Sequence, residues 1–485
     1  MTNLPALCLA ALLVACRTVA PGLSEEVTPT PPHIVLLMAD DQGWGELSSR
    51  GHGDLETPEL DRLGADGLTF ERFYAAAPVC SPTRASVLTG RHPNRTGVLA
   101  WGHELSGAEV TLAELLATQG YRTGHFGKWH LGSVAADAPT SPGAQGFDTW
   151  LSSPNFYEND PAFSAAGERV ELAGESSVVT ALAALDFLAA APDEPALAVV
   201  WFGSPHTPHR ATEAEAARLA DTPASFRAYR AELEGLDHAV GELRAGLDEL
   251  GIAGNTIVWY TSDNGPRPPG PAEGEAAVDR RAQATGGLRG SKGTLWEGGI
   301  RVPSFVVWPG RIAPGTRTAV PASTVDLMPT LAALTRTLLW LHRDAPYDGR
   351  NLSGLLVGDE RRPTVPTGLG FWSYPAPGRP TYSDRILDAL PEDTTPGMTD
   401  EERAARELLR GTPDTWPGDS AWIEADLKLH RRRAKDGTVT FELYDLVRDP
   451  GETTDLAPAR SELVARMAAD LETWRREVVA DLLGP

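Results

Sequence analysis

The run His33-Ile34-Val35-Leu36-Leu37-Met38-Ala39 continues without a break and stops on two aspartates, Asp40 and Asp41. A strand that is apolar on both sides has to be covered on both faces, which predicts a parallel strand inside a sheet. Parallel neighbours need long crossovers, usually helices. The sequence supplies them. Thr57-Pro58 predicts a helix start, a cap followed by Pro at the first position, closing before Gly67. Thr111 with Glu114 predicts a capping box, and Gly120 ends that helix ahead of a strand over 121–126. Further strands are predicted over 196–202 and 256–261, with a long amphipathic helix over 231–250 before the second. Strands alternating with helices predict an α/β fold, a large mainly parallel sheet flanked by helices.

The texture changes from about Phe371. Short β-like pieces over 421–429 and 438–444 precede a polar helix over 460–479. They predict a smaller C-terminal α+β domain at 371–485, an antiparallel sheet plus a helix, after a first domain at 33–370. Residues 266–287, rich in Pro, Gly and Glu and without periodicity, predict a long surface loop. With 41% hydrophobic and 22% charged residues the chain is not compositionally disordered. Its net charge of −23 leaves no basic stripe, so no nucleic-acid partner is expected.

Residues 4–15 form a short apolar segment, too short to span a bilayer and typical of a signal-peptide core, although no Lys or Arg precedes it. It ends in Leu13-Val14-Ala15-Cys16, which resembles the lipobox of bacterial lipoproteins and implies lipidation of Cys16. The expected organisation is a signal peptide at 1–15 and a lipidated tether at 16–32, the tether rich in Pro, Thr and Glu. Such a chain is exported and held to a membrane through Cys16, in the periplasm or at the cell surface. An ordinary cleaved leader would instead leave it periplasmic or secreted. The only cysteines are Cys8, Cys16 and Cys80, so the mature body holds one thiol and no disulfide framework. A lone Cys is usually a buried small hydrophobe. Cys80 stands instead in the polar stretch Val79-Cys80-Ser81-Pro82-Thr83-Arg84, which predicts a position outside the core.

The chemistry-bearing residues cluster at strand ends. Asp40 and Asp41 follow the first strand, and Asp263-Asn264 follow another in Thr261-Ser262-Asp263-Asn264-Gly265. Asp and Asn are common turn residues after strands. In an open α/β sheet, however, the carboxyl ends of strands share one ligand crevice. Three carboxylates and an amide oxygen there make a hard-oxygen cage for Ca²⁺ or Mg²⁺. Cys80 precedes a predicted helix over 82–89 that Gly90 closes, which places it at an anion-attracting N-terminus. Lys128 and His130 end a strand two residues apart, so they share a face. His206 follows a strand, and Lys292 lies in Arg289-Gly290-Ser291-Lys292-Gly293. Four lysines, Lys128, Lys292, Lys428 and Lys435, stand against 39 arginines. A lysine kept here suggests work for a compact ammonium. Lys428 and Lys435, in a stretch with His430, Arg431, Arg432 and Arg433, are expected to tolerate arginine with nearly full activity.

Taken together these segments resemble the type I sulfatases of the alkaline phosphatase superfamily, the formylglycine-dependent arylsulfatases. The resemblance runs from Ile34 to about Leu356 and resumes at Glu442-Leu443-Tyr444-Asp445-Leu446 and Asp449-Pro450-Gly451-Glu452. Cys80-Ser81-Pro82-Thr83-Arg84 with Leu88-Thr89-Gly90-Arg91 is similar to the family's Cys-x-Pro-x-Arg modification signature. The resemblance implies an alkaline-phosphatase-like fold, with 33–370 the catalytic domain. It implies that Cys80 becomes formylglycine through a maturation enzyme and that its hydrate is the nucleophile. Asp40, Asp41, Asp263 and Asn264 would hold Ca²⁺, ahead of Mg²⁺, with the modified Cys80 completing the cage. Arg84 would stabilise the hydrate, and Lys128 and Lys292 the sulfate oxygens. His206 would protonate the leaving alcohol, and His130 would help to eliminate sulfate. The implied substrate is a sulfated small molecule or glycan.

Two other readings fit the same residues. One is a phosphodiester or phosphonate monoester hydrolase of the same superfamily. The other is a non-catalytic lipoprotein that binds sulfated glycans with Cys80 unmodified. Trp101, His103, Phe156, Tyr157, His209, Trp372 and Tyr374 would line a sugar subsite or belong to the core.

Overall fold

The computed structural model describes residues 30–267, 282–337, 347–358 and 368–483. The expected leader, Cys16 and nearly all of the tether lie outside the described residues, as does most of the 266–287 stretch. Strand β1 (His33–Ala39) lies inside a ten-stranded sheet with every residue buried. It pairs in parallel with two of three further strands, β2 (Arg122–Lys128), β3 (Ala196–Trp201) and β4 (Thr256–Ser262). The order is β4-β1-β3-β2, all parallel. Strand β5 (Ser304–Val307) runs antiparallel beside β4, so the sheet is mixed but mainly parallel at its centre.

Alternation along β1 explains why it carries no polar residue between Ile34 and Ala39. Ile34, Leu36 and Met38 enter one core with Trp201 and Trp259. Val35, Leu37 and Ala39 enter the other with Leu236, Val240 and Leu243. Helix α1 (Pro58–Asp66) begins at the predicted Pro and ends before Gly67. Helix α2 (Cys80–Thr89) covers the first core with Ala85, Val87 and Leu88 and ends at Gly90, whose φ of 65° is the left-handed cap that glycine accepts. Helices α3 (Ser176–Ala189) and α4 (Ala224–Glu249) cover the second core.

Register brings the strand ends level. Met38 pairs with Trp201, Trp201 with Gly127, and Ala39 with Ser262. Asp40, Lys128 and Asp263 therefore emerge at one edge of the sheet. Beyond the final strand pair, Asp40 N–H donates to Ser204 O at 3.0 Å and Asp263 N–H to Ala39 O at 3.1 Å.

The C-terminal segment forms a four-stranded antiparallel sheet of β6 (Leu369–Ser373), β7 (Asp419–Glu424), β8 (Leu427–Arg433) and β9 (Val439–Asp445). Helix α5 (Ser461–Leu483) packs on it through Met467, Leu471 and Val478. The piece predicted as one unit over 421–429 is two strands. A tight turn at Ala425, with φ 51°, folds β8 back on β7. Lys428 is wholly buried. Period-two alternation on β8 sends Leu429 into one core and turns Lys428 and His430 to the opposite face, against Glu297 and Glu452. Its arginine neighbours gave no sign of this. Among the described residues no helix is long and apolar enough to cross a membrane.

Candidate active site

The structure gathers all ten predicted residues at the carboxyl edge of the sheet, Asp40, Asp41, Cys80, Arg84, Lys128, His130, His206, Asp263, Asn264 and Lys292. Two of them, Asp41 (φ 70°) and His130 (φ 53°), hold left-handed backbone that costs ordinary residues energy, as functional positions often do. Cys80 is the first residue of α2 and only 2% exposed. That corrects its expected place outside the core: the sequence polarity serves a buried polar crevice, not solvent.

Lys128 Nζ donates to Asp40 Oδ2 at 2.5 Å, both side chains fully buried. Lys292 Nζ lies 2.6 Å from Asp41 Oδ1 and 3.4 Å from Cys80 Sγ. Arg84 donates from Nη2 to Asp263 Oδ2 at 2.7 Å and from Nη1 to the Lys128 carbonyl at 3.0 Å. Its guanidinium also lies 5.1 Å from the centre of the Trp201 ring, a support that the sequence did not signal. Cys80 Sγ lies 3.7 Å from Asp40 Oδ1.

Burial opposes the charged form of Asp40, but Lys128, His206, Arg84 and Lys292 outweigh it and hold the carboxyl far below the usual range. Asp263 goes the other way, raised by burial and by the Asp40 charge. Burial pushes the Cys80 thiol up to about 12, although Lys128 and Lys292 oppose it. An unmodified thiol there is a poor nucleophile at neutral pH, because the thiolate is the reactive form. Burial lowers both His130 and His206, strongly for His130. His206 Nδ1–H donates to Thr207 O at 2.6 Å, which turns Nε2 toward Asp41 Oδ2 at 3.8 Å. Phe156 stacks on its ring at 4.8 Å.

The donor set fits a hard divalent cation. Ligand atoms of Asp40, Asp41, Cys80 and His206 lie within 4.8 Å of one another. Asp41 Oδ2 and Asn264 Oδ1 are buried without a hydrogen-bond partner, and buried polar atoms normally have one. Asp263 stands at the edge of this group, its Oδ2 on Arg84 and its Oδ1 accepting Asp41 N–H at 3.1 Å. Sequence reasoning missed Glu46, fully buried beside the site, which accepts Gly43 N–H at 2.6 Å and has its carboxyl raised to about 8 by burial. A single Glu after a Gly-Trp-Gly turn carried no signal. Of the seven aromatic candidates, His103, Tyr157, Trp372 and Tyr374 are buried, whereas Trp101 is 40% exposed.

A buried nest of cations and carboxylates around a cysteine at a helix start, at the carboxyl edge of this sheet, is a setting suited to an anionic substrate. The family model described as Sulfatase matches residues 32–337. Human arylsulfatase A is 34% identical over 464 residues, covering 88% of this chain and 83% of its own. The crystal structure of Ps i-CgsB in complex with k-i-k-neocarrahexaose superposes with a TM-score of 0.73 at 22% identity, over 92% of each chain. A structure in complex with D-glucosamine-2-N,6-O-disulfate gives 0.68 at 18% identity, over 92% of this chain and 98% of that one. The chain belongs to the sulfatase family. It is an arylsulfatase-like sulfuric ester hydrolase with an alkaline-phosphatase-like fold.

Proposed function

We propose that this sulfatase removes sulfate from sulfated carbohydrates, using formylglycine made from Cys80 and a calcium ion held by Asp40, Asp41, Asp263 and Asn264. The observation that carries the reading is the place of Cys80: first residue of α2, buried, with Lys292 Nζ 3.4 Å from its sulfur. A maturation enzyme would oxidise the thiol to an aldehyde. Hydrated, that aldehyde offers two hydroxyls on one carbon, one to bond sulfur and one to expel sulfate as the carbonyl re-forms. The cation would supply positive charge against the sulfate oxygens.

The chain's own groups do the rest. Lys128 and Lys292 neutralise the oxygens of the transferring group, each already fixed by an aspartate. Arg84, locked between Asp263 and the Lys128 carbonyl, holds the nucleophile's side of the site. His206 presents Nε2, because Nδ1–H is committed to Thr207 O; the proton for the leaving alcohol would be carried there by the imidazolium, which Asp40 and Asp41 favour against burial. His130, with both ring nitrogens unpartnered and buried, is placed to take a proton when sulfate departs. The carbohydrate class is supported by the two structural neighbours in complex with sugars, k-i-k-neocarrahexaose and D-glucosamine-2-N,6-O-disulfate. Export and a membrane anchor at Cys16 belong to the same reading.

Mass spectrometry of the peptide containing Cys80, with desulfation of a panel of defined sulfated sugars, tests it. The expected result is an aldehyde in place of the thiol and sulfate release from at least one sugar. An active enzyme whose Cys80 is wholly thiol overturns the mechanism. Palmitate labelling of wild type but not of Cys16→Ser tests the anchor.

A further inference from the structure

A cavity of about 480 Å³ lies between the segment after Lys292 and the C-terminal sheet. Gly293, Thr294 and Trp296 form one wall, and Asp419, Arg432, Arg433 and Lys435 lie among the residues of the other. We infer that it holds a second anionic group, a sulfate or carboxylate, of a sulfated oligosaccharide whose scissile ester lies at Cys80. The inference rests on the carbohydrate reading above.

Four observations support it. The volume falls in the range of small-ligand sites. Three cations and one acid, Asp419, line it; Arg432 also reaches Glu442 Oε2 at 4.0 Å, so three cations meet two acids in a chain whose net charge is −23. Charges beyond about 8 Å are largely screened at physiological salt, so the local excess is what an anion meets. The cavity also borders the catalytic groups through the chain itself. Gly293 directly follows Lys292, and its N–H donates to Pro78 O at 2.8 Å, two residues before Cys80.

The fourth observation is that the cations are already ordered. Arg432 Nε donates to Asp419 Oδ2 at 3.0 Å, and its guanidinium lies 5.2 Å from the Trp296 ring centre. Arg433 is tied by its backbone N–H to Asp419 Oδ1 at 2.9 Å and by its guanidinium to Asp414 O. Side chains fixed in advance lose less freedom on binding. Both arginines keep donors beyond these contacts, since a guanidinium carries five. Trp296 is not a sugar platform, because Arg289 lies 3.6 Å over its ring and His430 packs against it at 4.2 Å. The cavity therefore reads charge rather than ring faces.

The test is isothermal titration of the full protein with a heparin-derived hexasaccharide, comparing wild type with Arg432→Gln/Arg433→Gln/Lys435→Gln. Hydrolysis of 4-nitrophenyl sulfate by wild type is measured alongside. The expected result is about a tenfold weaker Kd for the triple variant, because three exposed charge contacts are removed together. Lys435→Gln alone, at an exposed side chain, weakens binding less. Arg62→Gln, at an exposed side chain in the middle of α1, changes nothing. Equal Kd for wild type and both cavity variants overturns the inference, as does a wild type that hydrolyses the aryl ester but does not bind the hexasaccharide. Failure to hydrolyse either the aryl ester or any sulfated sugar overturns the functional reading instead.

Discussion

Two buried lysines in this protein sit among carboxylates and do different work. Lys128 faces Asp40 in the crevice at the strand ends, and Lys428 faces Glu297 and Glu452 beneath the C-terminal sheet. Around Lys428 every charged atom is matched. Lys428 Nζ reaches Glu297 Oε1 at 3.0 Å and Glu452 Oε1 at 3.2 Å. Glu452 Oε2 accepts Glu297 N–H at 2.7 Å, and Glu297 Oε2 takes Tyr74 O–H at 3.1 Å. His430 Nε2 closes the set on Glu452 Oε1 at 2.7 Å. Around Lys128, by contrast, Asp41 Oδ2, Asn264 Oδ1 and both His130 nitrogens have no partner. A satisfied cluster joins parts of a fold, and an unsatisfied one is shaped for something else to enter. The Lys428 cluster also serves the other, because Glu297 lies five residues after Lys292 and fixes the segment that carries it.

The sharpest break in this comparison comes from rates. Cys80→Ala should lower kcat on an aryl sulfate by several orders of magnitude, because it removes the proposed nucleophile. Lys128→Ala and Lys292→Ala should each lower kcat/KM by about 10²-fold or more. Lys→Arg at either should fail as well, because a planar fork does not fill the place of a compact ammonium. Full rates in these Lys→Arg variants would show that the two clusters are alike.

The Lys428 cluster should answer in stability. Lys428→Met leaves two carboxylates buried without their cation, at a cost of about 3–5 kcal/mol. Lys428→Arg, larger than the fully buried space, should also lower Tm, against the expectation drawn from its arginine-rich neighbours. Thermal melts of both, set beside those of Lys292→Arg, check this.

Burial lowers His430 to about 4, although its bond to Glu452 opposes the shift. The folded value lies below the unfolded one of about 6.5. Its contribution is therefore complete above pH 6.5 and lost as pH falls toward 4, at most about 3 kcal/mol. The Tm gap between wild type and His430→Gln should narrow over that window. A gap constant with pH would mean that His430 is not held neutral.

The smallest effect separates the clusters by ligand. Calcium at a hundredfold excess over its Kd should stabilise wild type by about 2.7 kcal/mol. The same rise in Tm should appear in Lys428→Arg and vanish in Asp41→Ala. A chelated enzyme with undiminished rate would remove the cation from the account.

The sequence by itself determined the parallel sheet, because an unbroken apolar run over Ile34 to Ala39 is stable only when covered on both faces. It also determined the helix limits at Pro58, Gly67 and Gly90, since caps and left-handed turns are local matters. The ten candidate site residues that the structure brings together were singled out in the sequence, some at strand ends and a helix start and Arg84 through the resemblance alone. Other features were decided only by tertiary structure. That Cys80 is buried beside Lys292, 212 residues on, and that Lys428 faces Glu297, 131 residues back, depends on segments far apart in the chain. Local pattern says which face a side chain takes, but only packing says what stands across from it. Lys128 thus ends against Asp40 in the crevice at the strand ends, and Lys428 against Glu297 and Glu452 under the C-terminal sheet.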